Sequence, residues 1–232
     1  MSEHMTTVKL HIFHLPVLTP IAIARLWAEA SESRREQAKR YARNEDALRC
    51  LVGEALLRYA LRQCGVDEHL TPNVAEKGKP YVDAPQFHYN ISHGGDYVVI
   101  AWGESEVGVD VEIIHRSVRW EAIARKHFTP SEQEIVFADR TDEMTLASRF
   151  TLLWTRKESY VKYTGQGLAG ALSAFSVDAV LPRGRVLGAS GEPVDAVTES
   201  IFPDQAHIVS VCGRFDALCV RLVSEEELFK KI

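Results

Sequence analysis

Cysteine is scarce in this sequence, and long apolar runs are missing. Its 232 residues contain 4 cysteines, and no two of them form a C-x-x-C pair. Zinc sites built on cysteine pairs and secreted folds held by disulfides are therefore disfavoured, and thiols in a reducing cytosol are expected. No secretory signal is visible, and no segment approaches the run of about 20 apolar residues that a membrane span needs. We expect a cytoplasmic protein without a membrane partner.

Positive charge is in the minority as well. Lys and Arg total 27 against 32 Asp and Glu, which gives a formal net charge of −5. A general nucleic-acid binder needs a dominant positive field, so we expect no nucleic-acid partner. Hydrophobic residues make up 46% of the chain, which is enough for a packed core and excludes intrinsic disorder. Residues 34–49 are the local exception, because six basic side chains face three acidic ones there and could bind a polyanion.

Amphipathic helices and strand-like segments occur in both halves of the chain. Helical periodicity covers residues 46–64 in the first half and about 143–163 in the second. The strand-like segments are 8–14, 87–91, 97–102, 107–114, 173–180, 207–211 and 217–223. We therefore predict an α+β fold of two pseudo-symmetric halves, residues 1–115 and 116–232. Each half is expected to be a small, mostly antiparallel sheet packed against a long helix.

Two local signals lie in the first half. Ser33 and Glu36 have the spacing of a capping box, which predicts the start of a short basic helix. Gly53 lies inside the first long helix, where glycine costs about 1 kcal/mol relative to alanine. A glycine at such a position predicts close packing or the approach of a ligand.

Two carboxylates alternate with apolar residues in the segment 107–114. Successive side chains of a strand point to opposite faces, so Asp110 and Glu112 share one face. Carboxylates about 7 Å apart along a strand repel each other unless solvent or a cation lies between them. A half-exposed strand with a polar outer face shows the same alternation, so the pattern alone leaves both interpretations open.

A third carboxylate, Glu158, borders the apolar stripe of the second long helix beside Trp154. Lys157 and Lys162 flank it on opposite sides of the helical wheel. Glu158 and Lys162 could form an ordinary surface pair worth a few tenths of a kcal/mol. Alternatively, Glu158 joins the two strand carboxylates as an acidic ligand. Three carboxylates suit Mg²⁺, which keeps several waters and binds substrate phosphates that lysines would neutralise.

Polar residues also cluster at a strand end and in a basic turn. The segment 90–95, Asn-Ile-Ser-His-Gly-Gly, ends a strand and enters a turn, where ligand contacts are common. Asn and Ser could equally bond the local backbone, as turn residues do. The segment 77–81, Lys-Gly-Lys-Pro-Tyr, is by itself only a basic turn. Neither a P-loop nor a G-x-S-x-G elbow is present.

Taken in order, these segments resemble the Sfp-type 4′-phosphopantetheinyl transferases. The matching motifs are Gly78-Lys79-Pro80, Asn90-Ile91-Ser92-His93, Gly108-Val109-Asp110-Val111-Glu112 and Trp154-x-x-Lys157-Glu158-x-x-x-Lys162. Their order and spacing fit the family over most of residues 34–168. The resemblance implies a monomer of two pseudo-symmetric α+β halves with the ligand in the cleft between them.

The resemblance also implies a reaction. The 4′-phosphopantetheine arm of coenzyme A passes to a serine of an apo acyl-, aryl- or peptidyl-carrier protein, and adenosine 3′,5′-bisphosphate leaves. Asp110, Glu112 and Glu158 would hold Mg²⁺ on the pyrophosphate. Asp110, Glu158 and Lys162 would be the catalytic residues. Lys162 would stabilise charge on the attacked phosphate. Glu158, or a water on the metal, would deprotonate the incoming serine.

Further side chains are expected to contact coenzyme A. They are Arg34, Arg49, Lys79, Ser92, His93, Lys157 and Lys162, of which the two arginines match less firmly. A solvated helix face is the alternative for these arginines. Glu132 matches a family acid that follows Phe128, but it also completes a capping box with Thr129, so a functional and a purely structural role both stay open.

Two other classes of function compete with this transferase. A non-catalytic module that binds coenzyme A or a carrier protein is one, but the three metal carboxylates are intact. Another Mg²⁺-dependent phosphoryl-transfer enzyme is the second, and net acidity argues against its nuclease form. The sequence does not indicate which carrier protein or pathway is served.

Overall fold

The computed structural model describes residues 5–114, 119–138, 143–167 and 172–230. The helices are α1 Pro20–Glu29, α2 Glu32–Lys39, α3 Asn44–Gln63, α4 Trp120–His127, α5 Pro130–Phe137, α6 Glu143–Thr164 and α7 Glu225–Phe229. The strands are β1 Thr7–His14, β2 Asn73–Val74, β3 Pro80–Tyr81, β4 His88–Gly94, β5 Tyr97–Gly103, β6 Val107–Ile113, β7 Ser176–Val177, β8 Arg183–Leu187, β9 Pro193–Ile201, β10 His207–Gly213 and β11 Ala217–Leu222. Within these residues, no helix is long and apolar enough to cross a membrane.

The first sheet has the strand order β11-β1-β5-β4. Its pairings are antiparallel except that of β1 with β11, which is parallel. Helix α3 packs on this sheet, and its buried Leu51 and Leu56 share a core with Val98 and Ile100 of β5. Burying a side chain of this size contributes about 1.5–3 kcal/mol, so the α3 contact holds this half of the molecule together.

The second sheet has the strand order β6-β10-β9-β8-β7 and is antiparallel throughout. Helix α6 packs on β6 and β10. Its Leu153 and Val161 share a core with Ile208 and Cys212 of β10. Each sheet therefore lies against one long helix, which confirms the predicted α+β architecture.

The two sheets exchange strands between the halves of the sequence. Strand β6 belongs to the first half of the chain but pairs with β10 of the second sheet. Strand β11 belongs to the second half but pairs with β1 of the first sheet. The predicted division at residue 115 therefore does not separate the two sheets, because pairing between distant strands is not visible in local periodicity.

Apolar faces of both sheets meet in a shared core. Val99 of β5, Val109 and Val111 of β6 and Val209 of β10 are all buried there. Strand β4 lies beside β6 at the junction, where the Val109 backbone N–H donates to Asn90 Oδ1 over 2.9 Å. A side-chain amide thus satisfies a strand N–H that a ladder would otherwise use. This contact brings the polar residues of β4 and β6 together.

Several local elements differ from the predictions. The segment 173–180 is a short 3₁₀ turn, Leu172–Ala174, followed by the two-residue strand β7. Strands β8 and β9 were not predicted. Strand β9 pairs with β10 and β8 pairs with β9, and these partners are not visible in a local sequence pattern. Helix α2 begins two residues earlier than the Ser33 capping box indicated. Its N-cap is Ser31, whose hydroxyl accepts the Arg34 backbone N–H over 3.3 Å.

Gly108 sits where β6 and α6 approach most closely. A Cβ atom there would lie 2.1 Å from the Ser159 carbonyl oxygen and 2.3 Å from the Tyr163 backbone nitrogen. Both are helix backbone atoms, so they cannot move aside without displacing α6. Gly53 differs, because a Cβ there would meet Ile91 at 3.6 Å, an ordinary contact distance. The close packing predicted for Gly53 therefore occurs at Gly108 instead, and the approach of a ligand at Gly53 stays a prediction.

We expect Gly108→Ala and Gly53→Ala to change stability in opposite directions. Overpacking at Gly108 should cost about 3 kcal/mol, which lowers the melting temperature by roughly 6–12 °C. Alanine at Gly53 should gain about 0.5–1 kcal/mol from helix propensity. Thermal unfolding of both variants, followed by circular dichroism, tests this contrast. Equal melting temperatures for the two variants would contradict the contact at Gly108.

Candidate active site

Three of the sequence-predicted site residues meet where β4, β6 and α6 come together. Lys162 Nζ lies 2.6 Å from Asp110 Oδ1 and donates to Ser92 Oγ over 2.9 Å. The Ser92 hydroxyl donates to Asp110 Oδ1 over 3.0 Å. Asp110 and Ser92 are buried, while the Lys162 side chain is 28% exposed. The ammonium group is therefore anchored on one side and open to solvent on the other.

Two buried carboxylate oxygens in this cluster have no hydrogen-bond partner among the described residues. They are Asp110 Oδ2 and Glu158 Oε1, contributed by β6 and by α6. Burial raises the pKa of Glu158, the negative charge of Asp110 raises it further, and Lys162 opposes both effects. Unpartnered buried charges are costly, so these two oxygens call for a cation or for protons.

The carboxylates of this cluster are donors of the kind that a divalent cation binds. Within the described ranges, no group of three or more His, Cys, Asp or Glu side chains is arranged to hold a metal ion. Glu112 is partly buried on the same strand face as Asp110, and it has interactions of its own. The two unpartnered oxygens nevertheless fit a hard cation, since Mg²⁺ binds through one or two carboxylates plus waters and phosphates. The carboxylates could therefore supply part of the coordination shell of Mg²⁺, and waters and substrate phosphates would complete it.

Lys157 does not line this site, which corrects its predicted role in binding coenzyme A. Its side chain is fully buried, and Nζ donates to both carboxylate oxygens of Glu132, over 2.7 and 2.8 Å, and to the Phe175 carbonyl oxygen over 2.7 Å. Burial lowers the pKa of Lys157, and the charge of Glu132 opposes that shift. The ammonium has three donors and three acceptors, so none is left for a ligand.

Glu132 has a structural role on two counts. It completes the predicted capping box, since its Oε2 accepts the Thr129 backbone N–H over 2.8 Å. Its Oε1 accepts the Val177 backbone N–H over 2.8 Å in addition to the Lys157 ammonium. The pair therefore joins α5, α6 and β7 in the second half of the molecule.

Two of the residues predicted to contact coenzyme A, Arg49 and His93, lie at the turn after β4. Arg49 on α3 donates from Nε and Nη2 to the Gly95 carbonyl oxygen over 3.1 and 2.6 Å. His93 is exposed, but the protein packed against its ring and the charges of Arg49 and Lys162 lower its pKa. Arg49 also pairs with Asp46 through Nη1, at 2.6 Å, so part of the positive charge near His93 is already compensated.

Arg34 and Lys79 lie farther out and are engaged with the protein. Arg34 Nη1 donates to Gln37 Oε1 over 3.0 Å and contacts Cys50 Sγ at 3.8 Å. Lys79 Nζ bonds Glu106 and donates to the carbonyl oxygens of Val107 and Tyr163 over 3.0 and 3.2 Å. Lys79 thus ties its turn to β6 and to the end of α6, and its ligand contact stays a prediction.

An apolar groove lies beside Glu112 and was not predicted from the sequence. It is a cavity of about 210 Å³ lined by Trp120, Phe150 and Trp154 together with Ile113. The rings of Phe150 and Trp154 are nearly parallel, at 11° with centroids 6.0 Å apart, and Phe150 also stacks on Trp120. The spacing of Phe150 and Trp154 was visible as a helical stripe, but the contribution of Trp120 comes from a separate helix.

Comparison with known proteins agrees with this arrangement. A model of the 4′-phosphopantetheinyl transferase superfamily matches residues 106–209, and a model of the N-terminal region of 4′-phosphopantetheinyl transferases matches residues 22–105. A 4′-phosphopantetheinyl transferase of Bacillus subtilis is 37% identical over 156 residues, which cover 66% of this chain and 68% of that protein.

Two further relatives carry the same description. The 4′-phosphopantetheinyl transferase Sfp of Bacillus subtilis strain 168 is 37% identical over 63% of this chain and 65% of its own length. The 4′-phosphopantetheinyl transferase psf-1 of Bacillus pumilus is 29% identical over 87% of both chains. The chain therefore belongs to the Sfp-type 4′-phosphopantetheinyl transferases, which confirms the family and the enzyme class that its motifs predicted.

Proposed function

We propose that this chain transfers the 4′-phosphopantetheine arm of coenzyme A to a serine of an apo carrier protein, with Mg²⁺ on the pyrophosphate. Adenosine 3′,5′-bisphosphate is the second product. The observation that carries the proposal is the cluster of Asp110, Ser92 and Lys162 beside the two unpartnered carboxylate oxygens. Carboxylate oxygens that a cation could neutralise, next to an anchored lysine, match the chemistry of a metal-bound diphosphate that must be held and cleaved.

The chain's own residues would act chiefly by positioning and by charge. Asp110 and Ser92 hold the Lys162 ammonium by two hydrogen bonds, which orients it before substrate arrives. Lys162 then stabilises the negative charge that develops on the attacked phosphate. Arg49 contributes positive charge near the nucleotide end of coenzyme A, and His93, whose pKa is lowered there, contributes a ring that can form a hydrogen bond.

Glu158 is our preferred base for the incoming serine, with a metal-bound water as the alternative. Burial and the charge of Asp110 raise the pKa of Glu158 in the metal-free protein, which favours a general base, whereas a bound cation would oppose that shift. Asp110, Glu112 and Glu158 are the residues that would hold Mg²⁺. When bound, the ion would neutralise pyrophosphate charge and polarise the bond to be broken.

Incubation with coenzyme A, Mg²⁺ and an apo acyl- or peptidyl-carrier protein tests this function. The carrier should gain the mass of a phosphopantetheine arm on its serine, and a carrier with that serine replaced by alanine should gain nothing. Omitting Mg²⁺ should abolish the gain. A panel of apo carriers that all stay unmodified, under conditions where an authentic Sfp enzyme modifies them, would reject the proposal.

The same panel of carriers also shows which carrier protein the enzyme prefers. Carriers from fatty-acid, polyketide and nonribosomal-peptide synthesis differ in their docking surfaces. Comparing their kcat/KM values ranks them directly, because this ratio measures differential stabilisation of the transition state.

A further inference from the structure

Tyr97, Asp204 and His207 form a second cluster, outside that of Asp110, Ser92 and Lys162. His207, at the start of β10, is 5% exposed. Its Nδ1 lies 2.9 and 3.0 Å from the two carboxylate oxygens of Asp204. The Tyr97 hydroxyl donates to Asp204 Oδ2 over 3.1 Å, and the rings of Tyr97 and His207 meet edge to face at 4.8 Å. A side chain held this tightly has one fixed orientation.

The carboxylate also determines which ring nitrogen of His207 carries hydrogen. An ionised Asp204 only accepts hydrogen bonds, so the hydrogen of a neutral imidazole lies on Nδ1. The lone pair of Nε2 then points at the backbone of the turn after β4. The Asp96 N–H donates to Nε2 over 3.5 Å.

That turn, residues 94–96, rests directly on β6 and on His207. A Cβ atom on Gly95 would lie 2.2 Å from His207 Nε2, and one on Gly94 would lie 2.3 Å from the Val111 carbonyl oxygen. The absence of side chains at both glycines therefore permits the contact. From the other side, Arg49 grips the Gly95 carbonyl oxygen, and the Leu15 N–H donates to the Asp96 carbonyl oxygen over 2.8 Å.

We infer that His207, oriented by Asp204, is a positioning residue for coenzyme A. His207 lies on the second sheet and fixes the turn 94–96. That turn holds Arg49 and places His93 beside it. This inference rests on the proposed function, in which Arg49 and His93 bind the nucleotide end. No residue of the Asp204–His207 pair needs to touch substrate for this effect.

Two variants of His207 distinguish the roles of its two ring nitrogens. Asn retains a donor near the place of Nδ1 but has nothing at Nε2, whereas Gln can present an acceptor near Nε2. We expect His207→Asn to raise the KM for coenzyme A roughly fivefold, the equivalent of one lost hydrogen bond, with kcat and the carrier KM nearly unchanged. His207→Gln should restore most of the wild-type KM.

Val186→Ala is the control for general destabilisation. Val186 is fully buried in β8, remote from the turn in the strand order, so its truncation should lower the melting temperature without raising the KM for coenzyme A. The inference is overturned if His207→Asn leaves the KM unchanged, or if Val186→Ala raises it equally.

Amide hydrogen exchange gives a readout that does not depend on catalysis. The peptide containing residues 94–96 should exchange faster in His207→Asn than in wild type or in His207→Gln. If the wild-type protein transfers nothing to any carrier, the proposed function fails, while the exchange rates still report whether His207 fixes the turn. Equal exchange in all three proteins would overturn the inference even if transfer is observed.

Discussion

Glu158→Gln should reduce phosphopantetheine transfer by roughly 10²–10³-fold, the usual cost of losing one charged group that acts on the transition state. Glutamine keeps the shape of the side chain but cannot bind a cation as a carboxylate or remove a proton from serine. The measurement is kcat/KM for coenzyme A with a saturating carrier protein. Glu134→Gln, the same chemical change on an exposed position of α5, should keep wild-type activity.

The same substitution should stabilise the metal-free protein. Glu158 has a buried oxygen without a partner, and Asp110 raises its pKa further. Removing this charge should gain about 1 kcal/mol, which corresponds to a melting temperature roughly 2–4 °C higher. A loss of activity that coincides with a loss of stability would instead mean that Glu158 holds the fold together, and would contradict its place in the site.

Lys157→Met should lower stability by about 3–5 kcal/mol, because it leaves the buried Glu132 carboxylate without its cation. The melting temperature should fall by roughly 6–20 °C. Thermal or urea unfolding measures this directly. Lys126→Met, at an exposed position of α4, should change stability by less than about 0.5 kcal/mol.

A double variant and a kinetic measurement complete this test. Lys157→Met combined with Glu132→Gln should recover part of the loss, since the buried negative charge is then gone. At a temperature where Lys157→Met is still folded, its KM for coenzyme A should match that of wild type. A large rise in KM together with unchanged stability would restore the original prediction that Lys157 contacts coenzyme A.

Two lysines of α6 have different roles that the sequence pattern did not distinguish. Lys157 and Lys162 both flank Glu158 on a helical wheel, and a wheel indicates only their angles around the axis. Lys157 is buried because Glu132 and the Phe175 carbonyl from other elements surround it, whereas Lys162 faces Asp110 and solvent. These neighbours are distant in sequence, so no local pattern distinguishes the two side chains.

The strand exchange has the same explanation. The alternation in 107–113 predicted a strand correctly, but the choice between the first and second sheet depends on its partner β10, nearly 100 residues away. Pairing of β6 with β10, rather than with β4 in a full ladder, is what leaves Asn90 to satisfy the Val109 N–H. The site lies at this junction because the two sheets meet there.

By itself, the sequence determined the two long helices, six of the strands, the shared face of Asp110 and Glu112, and the family, because each depends on short-range periodicity or on motifs in order. The tertiary structure decided which residues of those motifs meet. It placed Ser92 and Lys162 on Asp110, left oxygens of Asp110 and Glu158 unpartnered, and moved Lys157 into a structural pair. The physical reason is that burial and charge pairing depend on contacts between segments far apart in the chain, which local sequence patterns do not encode.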